Sequence, residues 1–340
     1  MKVVLDVFGA DEPPSVIIDG ALLALKSDSQ LSVALSGNED IMLPILKGKN
    51  ADMSRIEIID AKDIITNNDA PTTAFKAKKE SSLIKGLQSL KDREDLVAFV
   101  SAGSTGAVLT GATFIVKRIE GIMRPALAPL LPTASGGQVC LVDGGANVDC
   151  KKEYLAQFAI LGSAYMQAAN SIEKPSIGLV SVGAEDKKGN ELTKGAFELL
   201  KEMDINFKGN MEARYALSGD YDVIVCDGFI GNVLLKSVEG TAKLYGIKVK
   251  EAIKSSFWAK LGYALFMKKA FNRLKSSMDY QKHGGAPFLG VEKVVIKCHG
   301  SSKASAICAA LLQAKTIAKA GLIEKIKEGI SNANIASITN

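Results

Sequence analysis

Short apolar runs, many rich in β-branched residues, recur along the chain, and most end in a polar or glycine-containing loop before a stretch with helical spacing. Val3–Asp6, Leu31–Ser36, Ile56–Ile59, Leu96–Val100, Ala126–Leu131, Gln138–Val142, Ser176–Val182, Asp222–Cys226 and Lys293–Lys297 read as strands. Short runs of this kind are the mark of strands covered on both faces, as in parallel sheets. Helices are predicted over 15–26, 43–47, 73–90, 107–119, 152–169, 192–203, 236–254, 260–276 and 303–320, with an extended piece at Ile205–Asn210. Sustained alternation with room for crossovers predicts a mainly parallel, doubly wound α/β fold. No internal repeat interrupts it. A single domain is expected over 1–330, carrying a helical hairpin insertion at about 240–282 and followed by a polar tail at 331–340.

Five of the strands end in loops of glycine with Ser, Asn or Asp, at 101–107, 143–149, 183–191, 227–232 and 298–302. One such loop is an ordinary strand-to-helix turn with a capping side chain. Five, expected at one edge of one sheet, point to an anion or phosphate site at the carboxyl ends of the strands. In Asp227-Gly-Phe-Ile-Gly-Asn232 the glycines are expected to turn the chain, and Asn232 brings an uncharged donor and acceptor to the mouth of the next helix. None of the loops is a G-x-G-x-x-G fingerprint or a P-loop, so a nucleotide cofactor is not expected. Asp6, Asp143 and Asp227 each close a strand, a position typical of aspartates that staple a loop. Lys188 reads either as a phosphate-facing cation or as a solvated loop lysine. Arg124 reads as a phosphate clamp or as a structural ion-pair partner, and His299 as an acid/base or as a hydrogen-bonded cap.

Composition narrows these readings. Hydrophobic residues make up 47% of the 340 and charged residues 23%, which suits a protein with a sizeable core. Five cysteines without a C-x-x-C pair read as reduced thiols, and two histidines without H-E-x-x-H give no zinc site. The N-terminus enters a strand at once, and no apolar run reaches the roughly 20 residues needed to span a bilayer. A cytoplasmic protein is expected. Its charge is uneven. Residues 243–282 hold ten Lys or Arg against Glu251 and Asp279, a net +8, leaving −3 for the rest. This argues for a local anionic partner and against a nucleic-acid-binding surface. Within that segment Trp258, Leu261, Leu265 and Phe266 lie among lysines. They fit an amphipathic element on anionic lipid; a helix pair at a subunit interface or a dock for an acidic carrier protein are the alternatives.

Ordered motifs over residues 1–325 add a resemblance. Asp6-Val-Phe-Gly-Ala-Asp11 is similar to the D-x-M-G-G-D opening of the PlsX family of phosphate acyltransferases, departing at Phe8 and Ala10. Ser101-Ala-Gly-Ser-Thr-Gly-Ala107 resembles its S-A-G-N-T-G-A with Ser104 for Asn. Arg124-Pro-Ala-Leu-Ala128, Gly145-Ala-Asn-Val-Asp149, Glu185-Asp-Lys-Lys-Gly-Asn-Glu191, Asn206-Phe-Lys-Gly-Asn-Met-Glu212, Cys226-Asp-Gly-Phe-Ile-Gly-Asn-Val233, Gly284-Gly-Ala-Pro287 and His299-Gly-Ser-Ser302 complete the set. The resemblance implies a fold like isocitrate/isopropylmalate dehydrogenase and phosphotransacetylase. It implies transfer of a long-chain acyl group from acyl-ACP (acyl carrier protein) to inorganic phosphate, yielding acyl phosphate for a glycerol-3-phosphate acyltransferase in phospholipid synthesis. It further implies a homodimer attached peripherally to an anionic membrane surface, with no metal or other cofactor. Lys188 and Asn232 are the expected catalytic residues, with His299 third. The expected substrate contacts are Asp6, Gly103, Ser104, Thr105, Gly106, Arg124, Gly145, Asn147, Asp227 and Gly231, the loops around Gly103–Gly106 and Gly145–Asn147 contributing backbone N–H groups. The rivals are a short-chain phosphotransacetylase-like enzyme using acyl-CoA and a non-catalytic scaffold at the membrane surface.

Overall fold

The computed structural model describes residues 1–66, 68–277 and 284–333. Its strands form two sheets rather than one. The first takes β1 (Lys2–Asp6), β2 (Ser32–Gly37), β3 (Ile56–Asp60), β4 (Leu96–Ser101) and β5 (Ala126–Leu127) from the N-terminal part. The second takes β6 (Leu130–Pro132), β7 (Gln138–Val142), β8 (Ile177–Ser181), β9 (Phe207–Glu212) and β10 (Val223–Val225). The chain then returns to the first sheet with β11 (Ala286–Leu289) and β12 (Val294–Lys297). Strand orders are β3-β2-β1-β4-β12-β11-β5 and β6-β7-β10-β8-β9. Only β11 in the first sheet and β6 in the second pair antiparallel with their neighbours.

The helices are α1 (Pro14–Ser27), α2 (Glu39–Gly48), α3 (Pro71–Ala77), α4 (Ser82–Asp92), α5 (Thr105–Gly111), α6 (Lys152–Asn170), α7 (Glu191–Glu202), α8 (Gly228–Lys254), α9 (Phe257–Gly262), α10 (Lys268–Ser277), α11 (Ala304–Lys319) and α12 (Leu322–Asn332). The central strands β1, β4, β7 and β10 are buried almost throughout, as their apolar runs require. One apolar cluster joins Val3 and Leu5 of the first sheet to Cys140 and Val225 of the second through Phe158 and Tyr165 of α6. No single helix among the described residues is long and apolar enough to cross a membrane. The bent pair α11–α12 passes on length and composition, but it supplies Ile307, Leu311, Ile317 and Ile326 to the core.

Four departures from the sequence pattern matter. The single strand expected at Ala126–Leu131 is two, because Ala128-Pro129 carries the chain from one sheet to the other and a proline has no N–H for the ladder. The helix expected over 73–90 breaks into α3 and α4: Ser81 caps α4, and the Ser82 amide bonds the carbonyl of Asp63. The Pro287-containing strand β11 and helix α12 carried no clear signal in the sequence. Finally, α8 begins at Gly228, so Gly231-Asn232 is not a turn but the first turn of a 27-residue helix. The polar tail falls partly in α12, and 334–340 lie outside the described residues.

Candidate active site

Two buried aspartates organise the strand ends. Asp6, at the end of β1, accepts hydrogen bonds from Ser82 Oγ (2.6 Å), Ser101 Oγ (2.8 Å) and the Phe8 amide (3.3 Å). Burial pushes its carboxyl upward and the hydroxyls pull it back. Behind it the backbones of Gly9 and Gly103 touch: a Cβ on Gly9 would stand 2.4 Å from Asp6 Oδ2 and 3.0 Å from Gly103 Cα. The break between α3 and α4 is what delivers Ser82 to this carboxylate.

Asp143, at the end of β7, is the second hub. Its carboxylate accepts the amides of Leu127 (2.9 Å), Gly145 (3.1 Å), Ala146 (3.0 Å) and Asn147 (2.7 Å), and Asn147 Nδ2 (2.8 Å). Here too burial raises the carboxyl pKa and the donors oppose it. The N–H groups of 145–147, expected to face an anion, are therefore committed to Asp143. Asn147 spends its other amide hydrogen on the Pro125 carbonyl (2.8 Å). The loop is a rigid collar, and α8 is seated on it. The Gly228 amide bonds Asn147 O (2.7 Å), and a Cβ on Gly231 would lie 1.9 Å from Asp143 O. Gly231 thus serves close approach, not chain reversal. Asp227 caps the helix, accepting the Ile230 amide (2.8 Å).

This seating fixes Asn232. Its side chain is exposed and lies against Gly145, whose φ of +134° only glycine adopts without strain. Four residues on, Lys236 lies on the same face of α8 and lines a cavity of about 130 Å³ between the sheets, with Thr105, Lys297, His299 and Ser302. His299 Nδ1 accepts from the Ser301 amide (3.2 Å) and contacts its hydroxyl (2.9 Å). An amide donor at Nδ1 leaves the proton of the neutral ring on Nε2.

Lys188 is exposed on the loop between β8 and α7. The loop is held from below by Asn210 of β9, which donates to Glu185 O (2.9 Å), and from beyond by Asn190, which caps α7 through the Thr193 amide (2.9 Å). The two motifs at 185–191 and 206–212 are halves of one device. Gly189 and Asn190 line a largely apolar cavity of about 570 Å³ with Val180, Val182, Ile230 and Val233. The first turns of α8 separate this cavity from the inter-sheet one, so Lys188 and His299 lie on opposite sides of the helix that carries Asn232.

Of the other expected contacts, Ser104 and Thr105 stand at the open start of α5, and Ser104 makes no side-chain cap bond. Gly106 fits against Pro71, where a Cβ would meet Cγ at 2.7 Å. Exposed Arg124 has its guanidinium 5.9 Å from the centroid of the Tyr154 ring, above the collar. Asp6, Asp227, Gly103 and Gly231 support the loops. Lys236, Lys297, Ser82 and Asn210 were missed. A lysine ending the buried run Val294–Lys297 was a signal; nothing in the sequence marks Ser82 or Asn210 as partners of distant loops. The cysteines are unbonded, and burial pushes Cys150 and Cys298 up to about 12, so neither supplies a thiolate nucleophile.

Comparison with known proteins places this architecture. Solved structures of the same fold include a phosphotransacetylase from Streptococcus pyogenes (TM-score 0.59, 19% identity, 94% of each chain) and the EutD phosphotransacetylase from Staphylococcus aureus (TM-score 0.58, 16% identity, 94% of each chain). At that identity the likeness speaks for the fold alone. In sequence, residues 1–325 match the family described as fatty acid synthesis protein. A phosphate acyltransferase of Clostridium perfringens is 45% identical over all of both chains, and one of Thermoanaerobacter pseudethanolicus 44% identical over 98% of each. The chain belongs to this family, the PlsX phosphate acyltransferases, and is an acyltransferase.

Proposed function

We propose that the enzyme transfers a long-chain acyl group from acyl-ACP to inorganic phosphate, forming acyl phosphate for phospholipid synthesis at an anionic membrane surface. The observation that carries this reading is the continuity of α8. Its first turn presents Asn232 beside the collar. Its far end, about 40 Å away at 1.5 Å per residue, leads into a segment whose apolar side chains are uncovered, Trp258 at 76% and Phe266 at 82% exposure. Leu261 and Leu265 are exposed there too, among Lys254, Lys260, Lys268 and Lys269. Such a segment suits anionic lipid or an acidic carrier protein better than a small soluble acyl donor.

The chemistry needs a held phosphate, a polarised thioester and a leaving thiolate. A phosphate oxygen adds to the carbonyl carbon, the oxyanion collapses, and the C–S bond breaks. No covalent enzyme intermediate is needed, because phosphate is the nucleophile. Lys188 stabilises the charge that develops in the reaction, and Asn232 hydrogen-bonds the oxyanion or the phosphate. His299 acts as a hydrogen-bond donor through Nε2. Its partner there is the phosphate or the departing thiolate. The apolar cavity beside the Lys188 loop accepts the acyl arm. A homodimer is part of the proposal, inherited from the family resemblance.

The test is an assay of purified protein with phosphate and either long-chain acyl-ACP or acetyl-CoA, reading acyl phosphate and free ACP or CoA. Turnover with acyl-ACP supports the proposal. Turnover with acetyl-CoA alone would favour a phosphotransacetylase, and liposome binding without phosphate consumption a scaffold.

A further inference from the structure

The inter-sheet cavity holds a feature that the proposed catalytic set does not use. Lys297 ends β12, paired with Ser101 on one side and Ala286 on the other, and its side chain is largely withdrawn from solvent. Its ammonium makes one hydrogen bond among the described residues, to the carbonyl of Cys298. Asp6 and Asp11 lie near enough for their charge to act on it. Lys236 faces the same cavity and is tied to Glu239 (2.8 Å). Two lysines thus line a cavity of about 130 Å³ together with Glu239, which Lys236 already engages. The site is built to stay this way. Gly285 brings the chain against β12, where a Cβ would stand 2.7 Å from Lys297 O, and Gln313 clamps Gly285 through its amide (2.9 Å) and carbonyl (3.1 Å). A largely buried ammonium beside a second one favours an anion in the space between them.

We propose that this cavity is the seat of the inorganic phosphate nucleophile, with Lys297 as its principal ligand, seconded by Lys236, Thr105 and His299 Nε2. The inference rests on the acyl-to-phosphate reading above. Its geometry is consistent: Lys236 is one helical turn from Asn232, so a phosphate held by both lysines sits beside the residue assigned to the thioester. Burial and the charge of Lys236 hold the Lys297 ammonium below the usual lysine range, and a bound dianion would reverse that. A space this small, lined by two lysines, favours a free dianion over the bulkier, monoanionic phosphodiester of a carrier's pantetheine arm.

The experiment is Lys297→Met, with Lys236→Met beside it, in the full chain. Lys297→Met is expected to raise the KM for phosphate about 10- to 100-fold while the KM for acyl-ACP stays within about twofold, the loss appropriate to one charge-assisted hydrogen bond. Lys236→Met should have a smaller effect of the same kind. Calorimetric titration with inorganic phosphate alone should show binding to the wild type and none to Lys297→Met. The unfolding temperature of that variant in phosphate-free buffer should be unchanged or higher, because the cost of holding that charge away from water is gone. An unchanged KM for phosphate would overturn the seat while leaving the acyltransferase reading intact. A raised KM for acyl-ACP alone would assign the cavity to the pantetheine phosphodiester and overturn it as well. Phosphate binding that depends on Lys297 in a protein that does not turn over acyl-ACP would uphold the seat and sink the proposed donor.

Discussion

The two ends of α8 obey opposite rules. At Gly228–Asn232 the helix is pressed into the Asp143 collar so closely that two positions admit no side chain, and the polar groups of that junction are paired. Beyond Gly240 the helix and its continuation meet the body of the molecule hardly at all. Leu244, Tyr245, Phe257 and Trp258 are exposed, and the ion pairing there is local, as in Lys248–Glu251. The difference teaches where precision is bought in this fold: one carboxylate and two glycines position Asn232, whereas the arm needs only helix propensity and an apolar face with nothing over it. A rigid element can carry both because helical hydrogen bonds are indifferent to what lies outside them.

The contrast can be broken most severely at Gly231. Gly231→Val should drive a side chain into the Asp143 carbonyl and lower stability by about 3 kcal/mol or more, read as a fall in the urea midpoint; an unchanged midpoint would mean that the collar is not rigid. Lys188→Ala should fold normally and lose about 100- to 1,000-fold in acyl phosphate formation, the cost of one donor to developing charge. Near-normal turnover would remove it from the catalytic set. The opposite edge of the first sheet supplies a control on pH. Glu57 is held at about 2 by Arg93 first, with Lys2 also bonding it. With a folded pKa below the unfolded one, its contribution is complete above about pH 4.5 and is lost as pH falls toward 2. Glu57→Gln should therefore flatten that acid limb of stability, measured by urea unfolding at pH 7, 4 and 3, without altering phosphate kinetics. Smallest in its effect on the fold is Trp258→Glu with Leu261→Glu. We expect stability within about 0.5 kcal/mol of wild type and turnover of soluble acyl-ACP intact, but flotation with anionic vesicles lost. Normal flotation would favour a subunit interface for the arm.

Much of this was legible in one dimension. Strands covered on both faces declare themselves as apolar runs, so β1, β4, β7, β8, β10 and β12 stand where the pattern puts them, and the expected mainly parallel α/β class holds. The loop motifs were legible because short-range capping is local: Asp227 bonds an amide three residues on. What failed was the arithmetic of sheets. A two-residue strand such as β5 has no period, and Pro129 gave no hint that the chain was leaving one sheet for another. Gly231 was legible as special but not for the right reason, since a glycine required by close approach looks the same in sequence as one required by a turn.

By itself the sequence determined the class of fold, the family, the acidic body with its basic arm, and the residues from which a site would be made. The tertiary structure alone decided their roles. It spent the 145–147 amides on Asp143, set Asn232 against Gly145, divided Lys188 from His299 by the width of a helix, and brought Lys297 and Lys236 to the lining of one cavity. Those outcomes depend on contacts between residues tens to hundreds of positions apart, such as Ser82 with Asp6 or Asn210 with Glu185. Local propensity carries no record of which distant partner will satisfy a buried polar group, and only packing the whole chain settles it.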